Sequence, residues 1–148
     1  MTPPSRTFHL TAVAIDGRAV LIEGPSGAGK SDLALRLIDR GAKLVGDDYI
    51  EMMARNGVLY ARAPATIAGR IEVRGLGILT TEHVAEAPVA LLVALSPAPD
   101  RLPDPGRRGL LGIDLPLLAL DPRPASAPIK VELALRRARD IVGWGTRA

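Results

Sequence analysis

Ala19-Val20-Leu21-Ile22-Glu23-Gly24-Pro25-Ser26-Gly27-Ala28-Gly29-Lys30-Ser31 decides how the rest of the chain is read. A short apolar run leads straight into Gly24-x-x-x-x-Gly29-Lys30-Ser31, and Leu33, Leu35, Leu37 and Ile38 follow as the inward face of a helix. Strand, glycine loop and helix are the context in which this spacing cradles phosphates. The glycines let backbone N–H groups converge on phosphate oxygens. The helix N-terminus adds its partial positive charge. Lys30 supplies an ammonium for the β- and γ-phosphates, and Ser31 a hydroxyl for Mg²⁺. Gly24, Pro25, Ser26, Gly27, Ala28, Gly29, Lys30 and Ser31 are therefore the candidate nucleotide-binding residues, with Mg-ATP or a close relative as the ligand. The competing reading is a glycine-rich turn that binds nothing.

Outward from the loop, the helix spans about residues 30–40, and Gly41 ends it as a glycine just past a helix does. Before the loop, His9 to Ile15 reads as a strand, and Asp16-Gly17 as a turn. Residues 1–7 read as a loose tail. Lys43 to Gly46 is a strand that ends at Asp47-Asp48. Residues 49–54 and 58–63 flank Asn56-Gly57, a strong hairpin signal. Residues 64–79 are glycine-spaced and take no clear assignment. Residues 89–95 read as a buried strand, 100–112 as a polar loop, 115–120 as a strand and 129–142 as an amphipathic helix. Mixed strands and helices with hairpins predict an α/β fold with a mixed rather than purely parallel sheet.

The 148 residues suggest one domain, 1–148, with a core built from Leu, Val, Ile and Ala because aromatics are only 3% of the chain. There is no cysteine, so disulfide staples and thiolate metal sites are excluded. The first residues lack the apolar core of a signal peptide, and no apolar run is long enough to span a bilayer. The expectation is a soluble cytoplasmic protein. The net charge of +3 and the runs Arg107-Arg108 and Arg136-Arg137 raise nucleic acid as a partner. The stacking aromatics of a single-strand binder are scarce, so a solvated basic surface is the better reading.

Asp47 and Asp48 end the strand after the glycine loop. An acid in that position of a P-loop protein can hold the metal's water shell or act as a base. Neighbouring carboxylates on an extended chain point to different sides, so two roles are natural. A transferase to an alcohol needs a base within reach of the hydroxyl proton. The bland alternative is a turn with two solvated acids.

The glycine loop, Arg40-Gly41-x-x-Leu44-Val45-x-Asp47-Asp48, Ala63-Pro64 and Ile71-Glu72-Val73-Arg74-Gly75-Leu76-Gly77 together resemble the catalytic domain of HPr kinase/phosphorylase. That family phosphorylates a serine of HPr, a phosphocarrier protein of the bacterial sugar phosphotransferase system. The resemblance covers about residues 8–135, and Glu72-x-Arg74-Gly75-Leu76-Gly77 is its most specific part. It implies a P-loop kinase domain with a nucleotide fold like that of phosphoenolpyruvate carboxykinase, assembled as a homohexamer. Family members commonly carry a further N-terminal domain, so a short catalytic form is expected here.

Position by position, the resemblance implies that His9 is a catalytic histidine and Asp48 the acid/base on the substrate serine. It implies that Asp47 supports Asp48 or orients the metal, and that Glu72 is a second Mg²⁺ ligand. Arg74, Gly75 and Gly77 belong to a loop the family uses in both reactions. Asp100-Arg101-Leu102 resembles another motif, which makes Arg101 a catalytic arginine that offsets charge on the transferred phosphoryl group. Arg123-Pro124-Ala125-Ser126-Ala127 stands where the family has an Arg-Pro-Gly-Arg-Asn type loop tied to dephosphorylation. Arg123 and Pro124 match and the other three do not, so reduced or absent phosphorylase activity is expected. Two other readings stay open: a small-molecule kinase on the same scaffold, and a sensor that binds nucleotide and a partner without transfer.

Overall fold

The computed structural model describes residues 5–100 and 106–142, with side chains in the last helix described as far as Ala138. In chain order the strands before and after the glycine loop are β1 (Ser5–Phe8), β2 (Thr11–Ile15) and β3 (Arg18–Glu23), then helix α1 (Lys30–Asp39) and β4 (Lys43–Gly46). The hairpin β5 (Ile50–Arg55) and β6 (Val58–Arg62) follows. A 3-10 turn (Ala65–Ile67) leads to β7 (Arg70–Val73), β8 (Gly77–Thr80) and β9 (Ala87–Leu95). The last elements are β10 (Gly106–Leu110), β11 (Ile113–Leu120) and helix α2 (Ala127–Val142).

Nine strands form one mixed sheet, and β7 with β8 forms a separate two-stranded one. β3, which feeds the glycine loop, runs parallel to β9, and β9 runs parallel to β11. The remaining pairs are antiparallel, including β2 with both β3 and β4. β2 thus lies between the strand that delivers the glycine loop and the strand that delivers Asp47 and Asp48. This is the α/β fold with a mixed sheet that the sequence predicts.

Period-two alternation splits the core into two faces. Val20 and Ile22 of β3 pack under the helices with Leu33, Leu37, Val131 and Leu135, while Ala19 and Leu21 face Ile50, Met52 and Leu59. Both faces are aliphatic, as the scarcity of aromatics requires. Two register shifts adjust the alternation. One leaves Ala90 as the extra residue on β9, opposite the Ala19/Val20 step. The other leaves Val45 as the extra residue on β4, just before the acidic pair. Bulges of this kind re-aim the side chains that follow.

Helix α1 ends as its sequence demands. Gly41 has φ 111°, its N–H reaches Ile38 O at 2.9 Å, and the N–H of Ala42 reaches Leu37 O at 3.0 Å. This paired arrangement is the Schellman motif, and it needs a residue that enters the left-handed region without steric cost.

Three expectations are corrected. Residues 5–7 are not tail: with Phe8 they form β1, paired antiparallel with β5 from Ser5↔Met53 to Phe8↔Ile50. Its outward side chains and short length give it little sequence signal. The polar stretch 100–112 is not all loop, because Gly106–Leu110 pairs with β11 through a turn at Leu111-Gly112. Both turn residues have positive φ, 49° and 80°. A leucine there is uncommon, so the turn does not announce itself as Asn56-Gly57 does. The strand read from His9 starts at Thr11, which leaves His9 in a bend ahead of it. Among the described residues no helix is long and apolar enough to cross a membrane.

Candidate nucleotide and phosphotransfer site

The glycine loop connects the end of β3 to the first residue of α1. Gly27 and Gly29 have φ 82° and 102°, values that glycine alone adopts freely, and Gly29 is the N-cap of α1. The loop therefore turns sharply into the helix N-terminus, with the Ala28 N–H donating to Pro25 O at 3.0 Å. Lys30 is nearly buried, and its ammonium donates to the carbonyl of Gly24 at 2.7 Å and of Pro25 at 3.3 Å. It is stored inside the loop it serves.

A cleft of about 500 Å³ opens beside the loop. Its lining includes Ser26, Gly27, Gly29, Lys30 and Ser31 of the loop together with His9, Thr11, Asp48, Glu72, Val73 and Arg74. The fold thus gathers residues from the bend before β2, from the glycine loop, from the end of β4 and from β7.

Asp47 and Asp48 lie in a bend just after β4 rather than on the extended backbone the sequence suggests, and their side chains find different partners. Asp47 turns inward and is 8% exposed. Its Oδ1 accepts from Ser31 Oγ at 2.7 Å and from Thr11 Oγ1 at 2.9 Å. Its Oδ2 accepts from the backbone N–H of Glu72 at 3.0 Å. Three donors on one buried carboxylate offset the cost of its burial.

Asp48 turns outward. Its Oδ1 accepts from His9 Nε2 at 2.6 Å, with the two side chains 60% and 54% exposed. The His9 ring also lies against Tyr49, with centroids 5.2 Å apart. Asp48 itself is held at φ 76°, in the left-handed region. An exposed pair of this kind contributes about 0–1 kcal/mol, while left-handed backbone at a non-glycine residue costs on the order of 1 kcal/mol or more. Stability alone does not account for this geometry.

The donor set suits Mg²⁺. Ser31 and Asp47 offer hard oxygen atoms beside the lysine. Among the described residues no three or more His, Cys, Asp or Glu side chains form a cage. Mg²⁺ binds through one or two carboxylates plus substrate phosphates rather than through an all-protein cage, so a site of this kind fits it when a nucleotide supplies the remaining oxygens. Glu72 reaches the network through its backbone N–H and is among the residues that line the cleft.

Other candidates stand apart. Gly75 (φ 90°) lies in the turn of the β7–β8 hairpin and Gly77 (φ 106°) opens β8 just after it, both beyond the cleft lining. Arg123 donates to both oxygens of Asp121 and to Pro97 O, and it does not line the cleft. Its side-chain hydrogen bond, followed by its backbone N–H, holds the Asp121 carboxyl below its ordinary value. Arg101 lies outside the described residues. Sequence reasoning missed Thr11, although one buried hydroxyl within the apolar run Leu10-Thr11-Ala12-Val13-Ala14 is a signal that can be read. It also missed Tyr49.

A glycine loop between strand and helix, a lysine inside it and an acidic strand end beside it define a P-loop kinase type of α/β domain. The HPr Serine kinase C-terminal domain model matches residues 2–86. A Coxiella burnetii Hpr(Ser) kinase/phosphatase of solved structure is 31% identical, with a TM-score of 0.79 over 93% of this chain and 98% of that one. The HPr kinase/phosphorylases of Clostridium beijerinckii and Clostridium acetobutylicum are 45% and 43% identical over 76 residues, which is 51% of this chain. The chain covers 25% of the length of each of these two curated relatives. The chain belongs to the HPr Serine kinase C-terminal domain family.

Proposed function

We propose that the protein is an ATP-dependent protein-serine kinase that phosphorylates HPr or an HPr-like phosphocarrier protein. The observation that carries this reading is the His9–Asp48 pair, solvent-exposed at the mouth of the glycine-loop cleft. A carboxylate so open to solvent suits a hydroxyl presented on the surface of another protein. A small-molecule kinase more often encloses its acceptor, and a pure nucleotide sensor needs no base. Family membership and the names of its relatives support the same substrate.

In this reading the triphosphate lies on Gly24 to Ser31. Lys30 leaves its carbonyl partners and neutralises the β- and γ-phosphates. Asp48 takes the proton of the acceptor serine, with His9 fixing its carboxylate. The serine oxygen bonds to the γ-phosphorus as the bond to the bridging oxygen breaks and ADP departs. Ser31, with Asp47 and Glu72, would hold Mg²⁺, which when bound would offset negative charge on the phosphates. Positioning and electrostatics do most of the work in such a transfer. Arg74, at the cleft wall, and Arg101 add positive charge, and the Gly75–Gly77 turn shapes the loop that carries Arg74.

We assign reduced or absent phosphorylase activity to the chain. The supporting observations are the loop Arg123 to Ala127, which departs from the family pattern, and Arg123 itself, which is engaged by Asp121. The protein acts in the cytoplasm, where HPr resides, as a homohexamer, and light scattering tests the assembly. The function itself is tested by incubating the protein with Mg-ATP and HPr, then mapping phosphoserine on HPr by peptide mass. HPr homologues that all stay unmodified contradict it.

A further inference from the structure

Thr11 is fully buried, yet its hydroxyl does not serve the sheet: it donates to Asp47 Oδ1 at 2.9 Å. The same oxygen accepts from Ser31 Oγ at 2.7 Å. Two hydroxyls therefore converge on one carboxylate oxygen, one from β2 and one from the helix that follows the glycine loop. The register explains the placement. Thr11 pairs with Ile22, close to the start of the glycine loop, and Ala12 pairs with Gly46, the residue before Asp47. β2 lies between the two halves of the site, and Thr11 is its side chain that bonds Asp47, the carboxylate on which Ser31 of the other half also donates.

A hydroxyl has one proton and two lone pairs. While Ser31 gives its proton to Asp47, its lone pairs are turned away from that carboxylate. The direction of those lone pairs depends on where Asp47 Oδ1 stands, and Thr11 fixes that point together with the Glu72 N–H on the other oxygen. We propose that Thr11 is a positioning residue for the divalent cation: it anchors Asp47 so that Ser31 presents its free lone pairs to Mg²⁺ bound with the nucleotide phosphates. Partners behind a metal's direct ligands tune affinity by orienting those ligands. This inference rests on the nucleotide-binding part of the proposed function.

Thr11→Val keeps the shape and removes the donor; Thr11→Ser keeps the donor and loses a methyl group. The test is calorimetric titration of ATP into each protein without HPr, across a Mg²⁺ series and in excess chelator, with thermal unfolding in parallel. Thr11→Val raises the Mg²⁺ concentration for half-maximal enhancement of ATP binding by about 10-fold or more, and leaves ATP affinity in chelator unchanged. Thr11→Ser restores the wild-type Mg²⁺ dependence. Where Thr11→Val does not fold, Thr11→Ala carries the same expected shift. Wild-type Mg²⁺ dependence in a folded Thr11→Val or Thr11→Ala protein overturns the inference, as does a Thr11→Ser protein as impaired as Thr11→Val. A wild-type protein that binds no ATP in either buffer overturns the nucleotide reading itself and takes this inference with it.

Discussion

Asp48 Oδ1 accepts a 2.6 Å hydrogen bond from Nε2 of His9, a residue 39 positions earlier in the chain. The pair joins the bend before β2 to the end of β4, the strand beside it in the sheet. Its partner acid, Asp47, faces the opposite way and is tied to Ser31 and Thr11. One dipeptide therefore serves two ends of the site: Asp47 organises the phosphate side, and Asp48 faces solvent and any incoming acceptor.

Ser31 is the first residue to test on the phosphate side. Ser31→Ala removes both the hydroxyl on Asp47 and the proposed metal ligand. Mg²⁺ enhancement of ATP binding should fall by about 10-fold or more, read by titration calorimetry, while the far-ultraviolet circular dichroism spectrum stays unchanged. Undiminished enhancement contradicts the assignment.

Leu37 tests the fold beneath the site. It is fully buried with Leu33, Val131 and Leu135 between the helices and the sheet. Leu37→Ala should cost about 2–5 kcal/mol through lost burial and the cavity left behind. Urea unfolding measures this. A loss well under 1 kcal/mol would mean that the site collapses around the gap.

Arg123 and Asp121 give a pH-dependent prediction. The Arg123 side chain, then its backbone N–H, lowers the Asp121 carboxyl below its ordinary value. A carboxyl lowered in the folded state stabilises that state above its unfolded value, and the contribution is lost as pH falls through the folded value. Arg123→Gln should therefore move the Asp121 titration midpoint upward in carbon-detected NMR. It should also shrink the loss of stability on the acid side. An unmoved midpoint contradicts the pairing.

Much of this arrangement is legible in the sequence because local chemistry and the global fold agree. Gly41 ends α1 where a glycine is needed, and Asn56-Gly57 turns its hairpin where both residues take positive φ, 52° and 79°. The nucleotide loop is legible for the same reason, since its glycines do work that no other residue does. What stays hidden depends on tertiary partners. β1 is a strand because β5 lies beside it, and β10 because β11 does. Neither carries a clear alternation of its own, and Leu111 occupies a turn position that leucine rarely takes. The site shows the same division. Spacing points to Lys30, Ser31 and Asp48. Thr11 emerges once the register places β2 between β3 and β4. Arg123 matches a motif by position, and the fold engages it with Asp121 away from the cleft.

The most direct test of the central claim is the intact mass of HPr after incubation with Mg-ATP and either the wild-type protein or Asp48→Asn. Asparagine tolerates the left-handed backbone of residue 48, so the variant should fold and bind nucleotide with little change. Wild-type protein should add one phosphoryl group, on a serine, and Asp48→Asn should slow this by about 100-fold or more, within the range for loss of a general base. HPr that gains no mass with the wild-type protein, or gains it equally fast with Asp48→Asn, contradicts the account.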